Sequence, residues 1–575
     1  MSNNKPEINK LKQFSITKLL KMGKKLMAEQ NYQKALAVYS EIWDRKPDDK
    51  DILVVLSFLL TKLAYRQQAI LLLESALQTF GAREDILQIL GDMAMNMEMF
   101  ETAEKIFRIY SDTYPLSKTA YNNLASVLGS MERFDEAIDL MKELLTVYPE
   151  EAQFWNTLGS SVSTRDGEQA GLVFYEEAHR LDPKNTSVMN NIARTYTFMG
   201  KADSAIEMGE KVLEMNPNAF DTRFLLAACY LSMGDLDKGW KYYDARRDAR
   251  RIAALIYTNK IPEWDGKDLS GKSILIMSEQ GIGDEIMFSA AIKHIYEQAE
   301  QVYIGCDKRL IALYEKTFPK AKCCEHMTAF QQGHTMRSFP DFEIPYNNGE
   351  LEIDYRLPIG SITKYFWNTH EDIPSYPDGF LKADTKLVKH WQKEFAKISD
   401  RPKVGIAWRS GNLAATRLMG YTKLSDWGDV LKTKGVDFIN VQYSDCTEEI
   451  AEAEKKFGVK IHQMKDMDLK NDIVGSCAMF KALDLILSPG ITTGWQAASV
   501  GTPVWWLTGR PHWFYGENES RLVPNSNYVH RGLNEDGAIF LKRVAKILKD
   551  YVKTGDTSVP RKYITDIPFQ SIKTD

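Results

Sequence analysis

Small and apolar positions recur every 34 residues through the first part of the chain. Pro115, Pro149, Pro183 and Pro217 stand in one column, and the same step backwards lands on Gly81 and Pro47. A second column, Ala35, Ala69, Ala103, Ala137, Gly171, Ala205 and Gly239, holds only small residues. So does a third, Gly23, Ser57, Gly91, Ala125, Gly159, Ala193 and Ala227. A period of this length predicts stacked two-helix units. Small residues at two fixed positions let paired helices approach, and the proline ends the second helix.

Beyond residue 270 the pattern changes to short apolar runs separated by helical segments. The predicted strands are SILIM (273–277), QVYIG (301–305), KVGIAW (403–408), DFINVQ (437–442), LILS (485–488) and PVWWL (503–507). Strands alternating with helices predict parallel α/β sheets. A second group begins after Arg401-Pro402, so two α/β halves are expected, with ligands at the C-terminal ends of their strands. The expected layout is a tail (1–15), a repeat superhelix (16–253), a linker (254–270), two α/β halves (271–395 and 396–545) and a C-terminal tail or helix (546–575).

Composition narrows the partners. The chain has 575 residues and a net charge of −5 from 73 basic and 78 acidic side chains, which gives no electrostatic footprint for nucleic acid. Arg246-Arg247-Asp248-Ala249-Arg250-Arg251 is read as a solvated helix end. Six cysteines without a C-x-x-C pair exclude a disulfide scaffold, and Cys323-Cys324 reads as two reduced thiols near a surface loop. The polar start MSNNKPEINKLKQF lacks the apolar core of a signal peptide, and Ile52–Leu60 has about half the length needed to cross a bilayer. The expectation is a cytoplasmic protein without a transmembrane segment.

Three pieces of the second part carry chemistry. In Gln280-Gly281-Ile282-Gly283-Asp284 a strand turns through glycines into a helix. Ile286 stands where a dinucleotide fingerprint needs a third glycine, and there is no Walker lysine. Asp284 is either a general base or a helix N-terminal cap. In KVGIAWRSGNLAATR, Arg409 and Arg417 flank a turn at a strand's C-terminal end; they suit either diphosphate oxygens or nearby carboxylates. In LILSPGITTGWQ, Pro489-Gly490 breaks a strand, and Thr492 and Thr493 open a helix as an anion seat. Asp466-Met467-Asp468 matches a metal-binding D-x-D superficially, in a polar loop after His462. His512 and Trp513 lie beyond strand PVWWL, either against a sugar or base or packing the two halves.

The best repeat copy, FWNTLGSSVSTRDGEQAGLVFYEEAHRLDP, carries Trp155, Leu158, Gly159, Tyr175, Ala178 and Pro183 in order, and the array resembles the tetratricopeptide repeat in seven copies. The resemblance implies a concave surface that holds an extended peptide or partner protein; alternatively the array joins copies of the chain or spaces it. Asn122, Asn123, Asn156, Asn190 and Asn191 recur near the first helices, as a clamp on a peptide backbone or as solvated positions.

Residues 262–540 look like the glycosyltransferase-like domain that follows tetratricopeptide repeats in many bacterial proteins, related to heptosyltransferases. PEWDGKDLSGKSILIMSEQGIGDEIMF is similar to that domain's opening and DLILSPGITTGWQAASVGTPVWWL to its donor-site segment. ITTGWQAASVGTP also resembles the O-linked N-acetylglucosaminyltransferase pattern. The resemblance implies a GT-B fold of two Rossmann-like halves. It makes Asp284 the base, Thr492, Thr493 and Gly494 diphosphate ligands, and Arg409 and Arg417 neighbours of the phosphates. Gln442 falls where base or ribose is contacted. Gln280, Gly281, Gly283, His512 and Trp513 would face sugar or acceptor, and Gly490 and Gln496 the donor. The chain departs from the heptosyltransferase pattern at Gly490-Ile491 (Asp-Thr there) and Trp495 (histidine there). It departs from the N-acetylglucosaminyltransferase pattern at Gln496 (aspartate there). A CMP-activated nonulosonic acid would use the same seat as a diphosphate donor.

The combined reading is an α + α/β chain, a repeat solenoid followed by a GT-B domain. It would be an inverting-type glycosyltransferase moving a sugar from a nucleotide sugar to a Ser or Thr of a protein acceptor, flagellin or another surface protein. No metal or further cofactor is expected. The alternatives are a non-catalytic repeat scaffold with a degenerate GT-B domain, or a lipopolysaccharide sugar transferase.

Overall fold

The computed structural model describes residues 11–29, 31–63, 65–248, 254–331, 334–411, 421–508, 520–532 and 535–559. Two compact units are present, one of Met1–Thr195 with Phe330–His334, the other of Tyr196–Ala329 with Thr335–Asp575.

The first unit is a run of helix pairs in the 34-residue register: Ile16–Ala28 with Tyr32–Arg45, Lys50–Leu63 with Arg66–Phe80, Glu84–Asn96 with Phe100–Thr113, Lys118–Ser130 with Phe134–Val147, and Ala152–Asp166 with Leu172–Leu181. Ser15 and Asn31 cap the first two helices by accepting from the N–H groups of Lys18 and Lys34. The small columns lie where helices of a pair touch. At Gly159 a β-carbon would come within 2.8 Å of the Tyr175 ring, so the column admits the neighbouring aromatic. Leu53, Leu87, Leu90 and Phe107 are fully buried along the same seam, each worth about 1.5–3 kcal/mol of burial.

The second unit begins with the end of the helix Thr186–Phe198 and the helices Ala202–Met215, Phe220–Ser232 and Leu236–Tyr243. Thirteen strands follow among the described residues: β1 Leu255–Tyr257, β2 Ser273–Met277, β3 Gln301–Cys306, β4 Lys322–Glu325, β5 Met327–Gln331, β6 His334–Ser338, β7 Tyr355–Pro358, β8 Lys403–Ile406, β9 Asp437–Asn440, β10 Ile461–His462, β11 Leu485–Ser488, β12 Val504–Thr508 and β13 Asn527–His530. They form sheets ordered β4-β3-β2-β7, β1-β6-β5 and β10-β9-β8-β11-β12-β13. Every pairing in the first and third sheets is parallel. The six-stranded sheet runs 3-2-1-4-5-6 in its own numbering and the four-stranded one 3-2-1-4. Both have the doubly wound order, which reverses between β8 and β11 and between β2 and β7 and opens a crevice there.

The last repeat is built into the first α/β half. Trp240, 1% exposed, packs edge-on against Phe288 and Trp367. Its C-terminal turn, Asp244–Arg247, overturns the reading of the basic segment as solvated. Arg246 is 0% exposed, paired with Glu279, and Arg247 pairs with Glu263 at 2.9 Å. An arginine can be buried so only against a carboxylate, and Glu279 and Glu263 follow their arginines by 33 and 16 residues.

Other expectations shift with it. Residues 254–270, expected as a linker, hold β1, which pairs with β6 in parallel. Cys323 and Cys324 sit inside β4 rather than near a loop, and Cys324 is 3% exposed. Seven of the strands, β1, β4, β5, β6, β7, β10 and β13, were not marked by an apolar run. The chain closes its described part with the helix Gly537–Thr554.

Candidate functional site

Two strand-to-helix turns stand at the two reversals of strand order. After β2, Ser278 to Gln280 lead to Gly281, whose extended backbone (φ −135°, ψ 154°) starts the helix Ile282–Phe288. Gly281 is thus the cap residue. Asp284 lies in the first turn, its Oδ2 3.4 Å from where a β-carbon of Gly281 would stand. A carboxylate there is favoured by the helix dipole. After β11, Pro489 and Gly490 lead to Ile491, and the helix Thr492–Ser499 begins. The two turns touch: a β-carbon on Gly283 would lie 3.1 Å from Thr492 Oγ1 and 3.5 Å from Thr492 Cα. Gly281, Gly283, Asp284, Gly490 and Thr492 are therefore brought to one place, with Gln280 exposed beside them.

The remaining donor-side residues point elsewhere or inward. Thr493 is 1% exposed, and Gly494 abuts the Trp506 ring, which a β-carbon would enter. Gln496 is 2% exposed, with no hydrogen-bond partner for its Nε2 among the described residues. Arg409 takes the carboxylate alternative: it pairs with Glu449 at 2.6 Å and donates to Ser444 Oγ and the Asp445 carbonyl. Its fork is thereby filled without a phosphate. Gln442 is buried, its Oε1 accepting from the N–H groups of Trp408 and Arg409 and its Nε2 donating to Ser444 Oγ. It joins the ends of β8 and β9 instead of facing a ligand. Arg417, His512 and Trp513 lie outside the described residues. A recess of about 10 Å³, close to the least that a single water molecule needs, opens at the C-terminal ends of β8, β11, β12 and β13, between Trp408, Pro489, Thr508 and Arg531.

Beneath the first turn lies a cluster of buried charges that the sequence reading missed. Burial pushes the Glu285 carboxyl up to about 8, and the nearby Asp307 charge adds to this. Its Oε2 accepts from the Asp307 N–H at 3.0 Å. His326 Nε2 lies 2.8 Å from Arg337 Nη1. A guanidinium only donates, so Nε2 accepts and the ring proton sits on Nδ1, 3.8 Å from Glu285 Oε1. Burial, then the Arg337 charge, holds this imidazole down at about 4. Arg337 Nη2 also donates to the carbonyls of Glu279 and Gln280. The available signal was a pair of acids, Glu279 and Glu285, flanking the glycine turn in an otherwise apolar strand–helix unit.

In the first unit, the asparagines join helices of successive repeats. Asn123 Nδ2 donates to Gln88 Oε1, Thr157 Oγ1 to Asn122 Oδ1, and Asn191 Nδ2 to Asn156 Oδ1 at 2.9 Å. Asn190 stands beside Asn191 on the same helix, half-buried. Asp468 accepts from the N–H groups of Lys470 and Asn471, closing its own turn. Among the described residues no group of three or more His, Cys, Asp or Glu side chains could hold a metal ion, and no helix is long and apolar enough to cross a membrane.

Family models bear on the helical part. Tetratricopeptide-repeat models match residues 119–148 and 199–248. Protein FlbA of Caulobacter vibrioides is 35% identical over 294 residues, 51% of this chain and 48% of its own length, so the chain spans about half of that relative. Among solved structures, a thermophilic tetratricopeptide-repeat protein of Thermus thermophilus is similar at 21% identity and a TM-score of 0.27, over 29% of this chain and 93% of that one. A tetratricopeptide-repeat protein of Parabacteroides merdae is similar at 14% identity and a TM-score of 0.32, over 40% and 91%. With the 34-residue register of its helix pairs and two of its stretches matched, the N-terminal array of this chain is a tetratricopeptide-repeat solenoid, followed by parallel α/β sheets.

Proposed function

We propose that the α/β part is a GT-B-type glycosyltransferase acting on a protein held by the repeats. The observation that carries the reading is the abutment of Gly283 and Thr492, two helix starts at the strand-order reversals of two doubly wound sheets. Such crevices bind nucleotides, and helix starts favour their phosphates. In this reading the acceptor hydroxyl oxygen attacks the anomeric carbon while Asp284 takes its proton. The bond from that carbon to the donor phosphate breaks, and the nucleotide leaves with the electron pair. The Thr492 hydroxyl and the free N–H groups of its helix stabilise the charge developing on the leaving phosphate. The acceptor is a Ser or Thr of a surface protein, flagellin foremost, recruited by the repeats.

One observation favours a second reading. Arg409 and Gln442, the residues assigned to phosphate and base, are engaged within the protein, as in a non-catalytic scaffold. The deciding experiment is a thermal-shift panel with UDP, GDP, ADP, CMP and dTDP on wild type and Thr492→Ala. Thr492 is the suitable probe because Thr493 is buried and its loss would cost stability directly. A rise of Tm with one nucleotide, lost in Thr492→Ala, supports the transferase. No rise with any of them at millimolar concentration supports the scaffold.

A further inference from the structure

We infer that Arg246, at the end of the last repeat, is a positioning residue for the Gln280–Asp284 turn, so that this last repeat is part of the site's framework. The inference rests on the transferase reading for its functional meaning, but not for its geometry. In a doubly wound sheet the crevice between the ends of β2 and β7 is where a ligand's charge is taken up. Here a side chain from outside the sheet enters it. The Arg246 guanidinium is 0% exposed and forks onto both oxygens of Glu279, itself 1% exposed and the residue just before Gln280. The same Glu279 carboxylate accepts from the Gly360 N–H after β7 at 3.2 Å. Arg246 donates further to Ser361 Oγ and Asp244 Oδ1, each at 3.1 Å, and its guanidinium lies 4.2 Å from the Tyr243 ring centre. Lys364 closes the network onto Asp244 at 2.6 Å.

The main chain of the same segment is gripped from other sides. Tyr257 donates to the Ser278 carbonyl at 2.7 Å, and Arg337 to the carbonyls of Glu279 and Gln280. Glu279 is fixed through its side chain, and Arg246 is its only cationic partner among the described residues. Removing the guanidinium leaves a buried carboxylate uncompensated, and the least costly relief is to carry Glu279 towards water. Gln280, Gly281 and Asp284 would move with it, away from Thr492.

The test compares full-length Arg246→Met, Arg246→Lys and Glu279→Gln with Lys403→Met. Lys403 is also a buried cation, 5% exposed, paired with Asp437 in the six-stranded sheet and remote in sequence from the turn. Hydrogen exchange is followed for residues 278–284 at a fixed interval below each variant's Tm. Arg246→Met and Glu279→Gln should speed exchange in this segment at least tenfold, Arg246→Lys less, and Lys403→Met less than twofold. Equal protection of 278–284 in Arg246→Met and Lys403→Met would overturn the inference. Should Arg246→Met fail to fold, Glu279→Gln and Arg246→Lys carry the same comparison. The exchange result stands whether or not the wild type transfers sugar. Where it does, kcat should fall at least tenfold in Arg246→Met with the nucleotide-induced Tm rise retained. A fall confined to nucleotide binding would contradict the positioning role.

Discussion

Gly379 and Gly501 meet back to back behind the helix Thr492–Ser499, and neither tolerates a β-carbon. Both have left-handed backbones, φ +90° and +82°. A β-carbon on Gly379 would collide with main-chain atoms of Ser499, Val500 and Gly501, and one on Gly501 with those of Asp378. The obstacles are main chain, which cannot swing aside as a side-chain tip would. A non-glycine residue at such φ costs about 1–2 kcal/mol, and forcing an extra carbon into a packed contact about 1–3. Gly379→Ala and Gly501→Ala should therefore each destabilise by about 2–5 kcal/mol. The Phe380 and Leu381 N–H groups both donate to the Ser499 carbonyl at 2.8 Å, so a displaced segment would also strain these bonds. One separation of the two strands of chain relieves both collisions, so the double variant should cost less than the sum. Of the 12 tryptophans only Trp43 and Trp155 belong to the first unit, and tryptophan fluorescence during urea unfolding therefore reports the second. Either single variant within about 1 kcal/mol of wild type, or strict additivity in the double, would refute the argument.

Further outcomes follow from the same contacts. Burial raises the Glu285 carboxyl from 4.5 to about 8, so the folded state binds more protons than the unfolded one between these values, and stability falls as pH rises through that window. In Glu285→Gln the stability–pH curve should lose that fall, leaving the variant more stable than wild type at pH 8 by about a few kcal/mol; parallel curves would show that Glu285 does not titrate there. Asn156→Ala removes the acceptor of Asn191 and should cost about 0.5–1.5 kcal/mol, read by hydrogen exchange of the helices Ala152–Asp166 and Thr186–Phe198. Arg409→Lys loses the fork onto Glu449 and Ser444 and should lower stability by about 1–3 kcal/mol while keeping any nucleotide-induced Tm rise. Loss of that rise would return Arg409 to the donor site.

What was legible in the sequence was periodic or apolar. The 34-residue columns marked the helix pairs because Gly159 and its counterparts must be small where an aromatic such as Tyr175 packs. SILIM and LILS read as strands because β2 and β11 lie inside sheets covered on both faces. Strands such as β6, HTMRS, and β13, NYVH, are too short or too polar to stand out, and β6 takes its place by pairing with β5 and with β1 about 80 residues earlier. The glycine turns were visible as motifs, but their meeting at Gly283 and Thr492 depends on how two sheets are set against each other. Arg246 was misread because a charge run says nothing about a carboxylate 33 residues away, Glu279.

The junction network also constrains the order in which the chain can mature. Asp244 and Arg246 are made 33 residues before Glu279 and more than 110 before Ser361 and Lys364. At about 5–20 residues per second of synthesis, the last of these partners leaves the ribosome some 6–24 seconds after the arginine. Earlier repeats stack chiefly on neighbours near in the chain and can do so as they emerge. The final repeat cannot bury its guanidinium until the strand that ends at Pro358 has joined the sheet. A nascent chain arrested between residues 300 and 350 should therefore expose the end of its solenoid to proteases while the preceding repeats resist them.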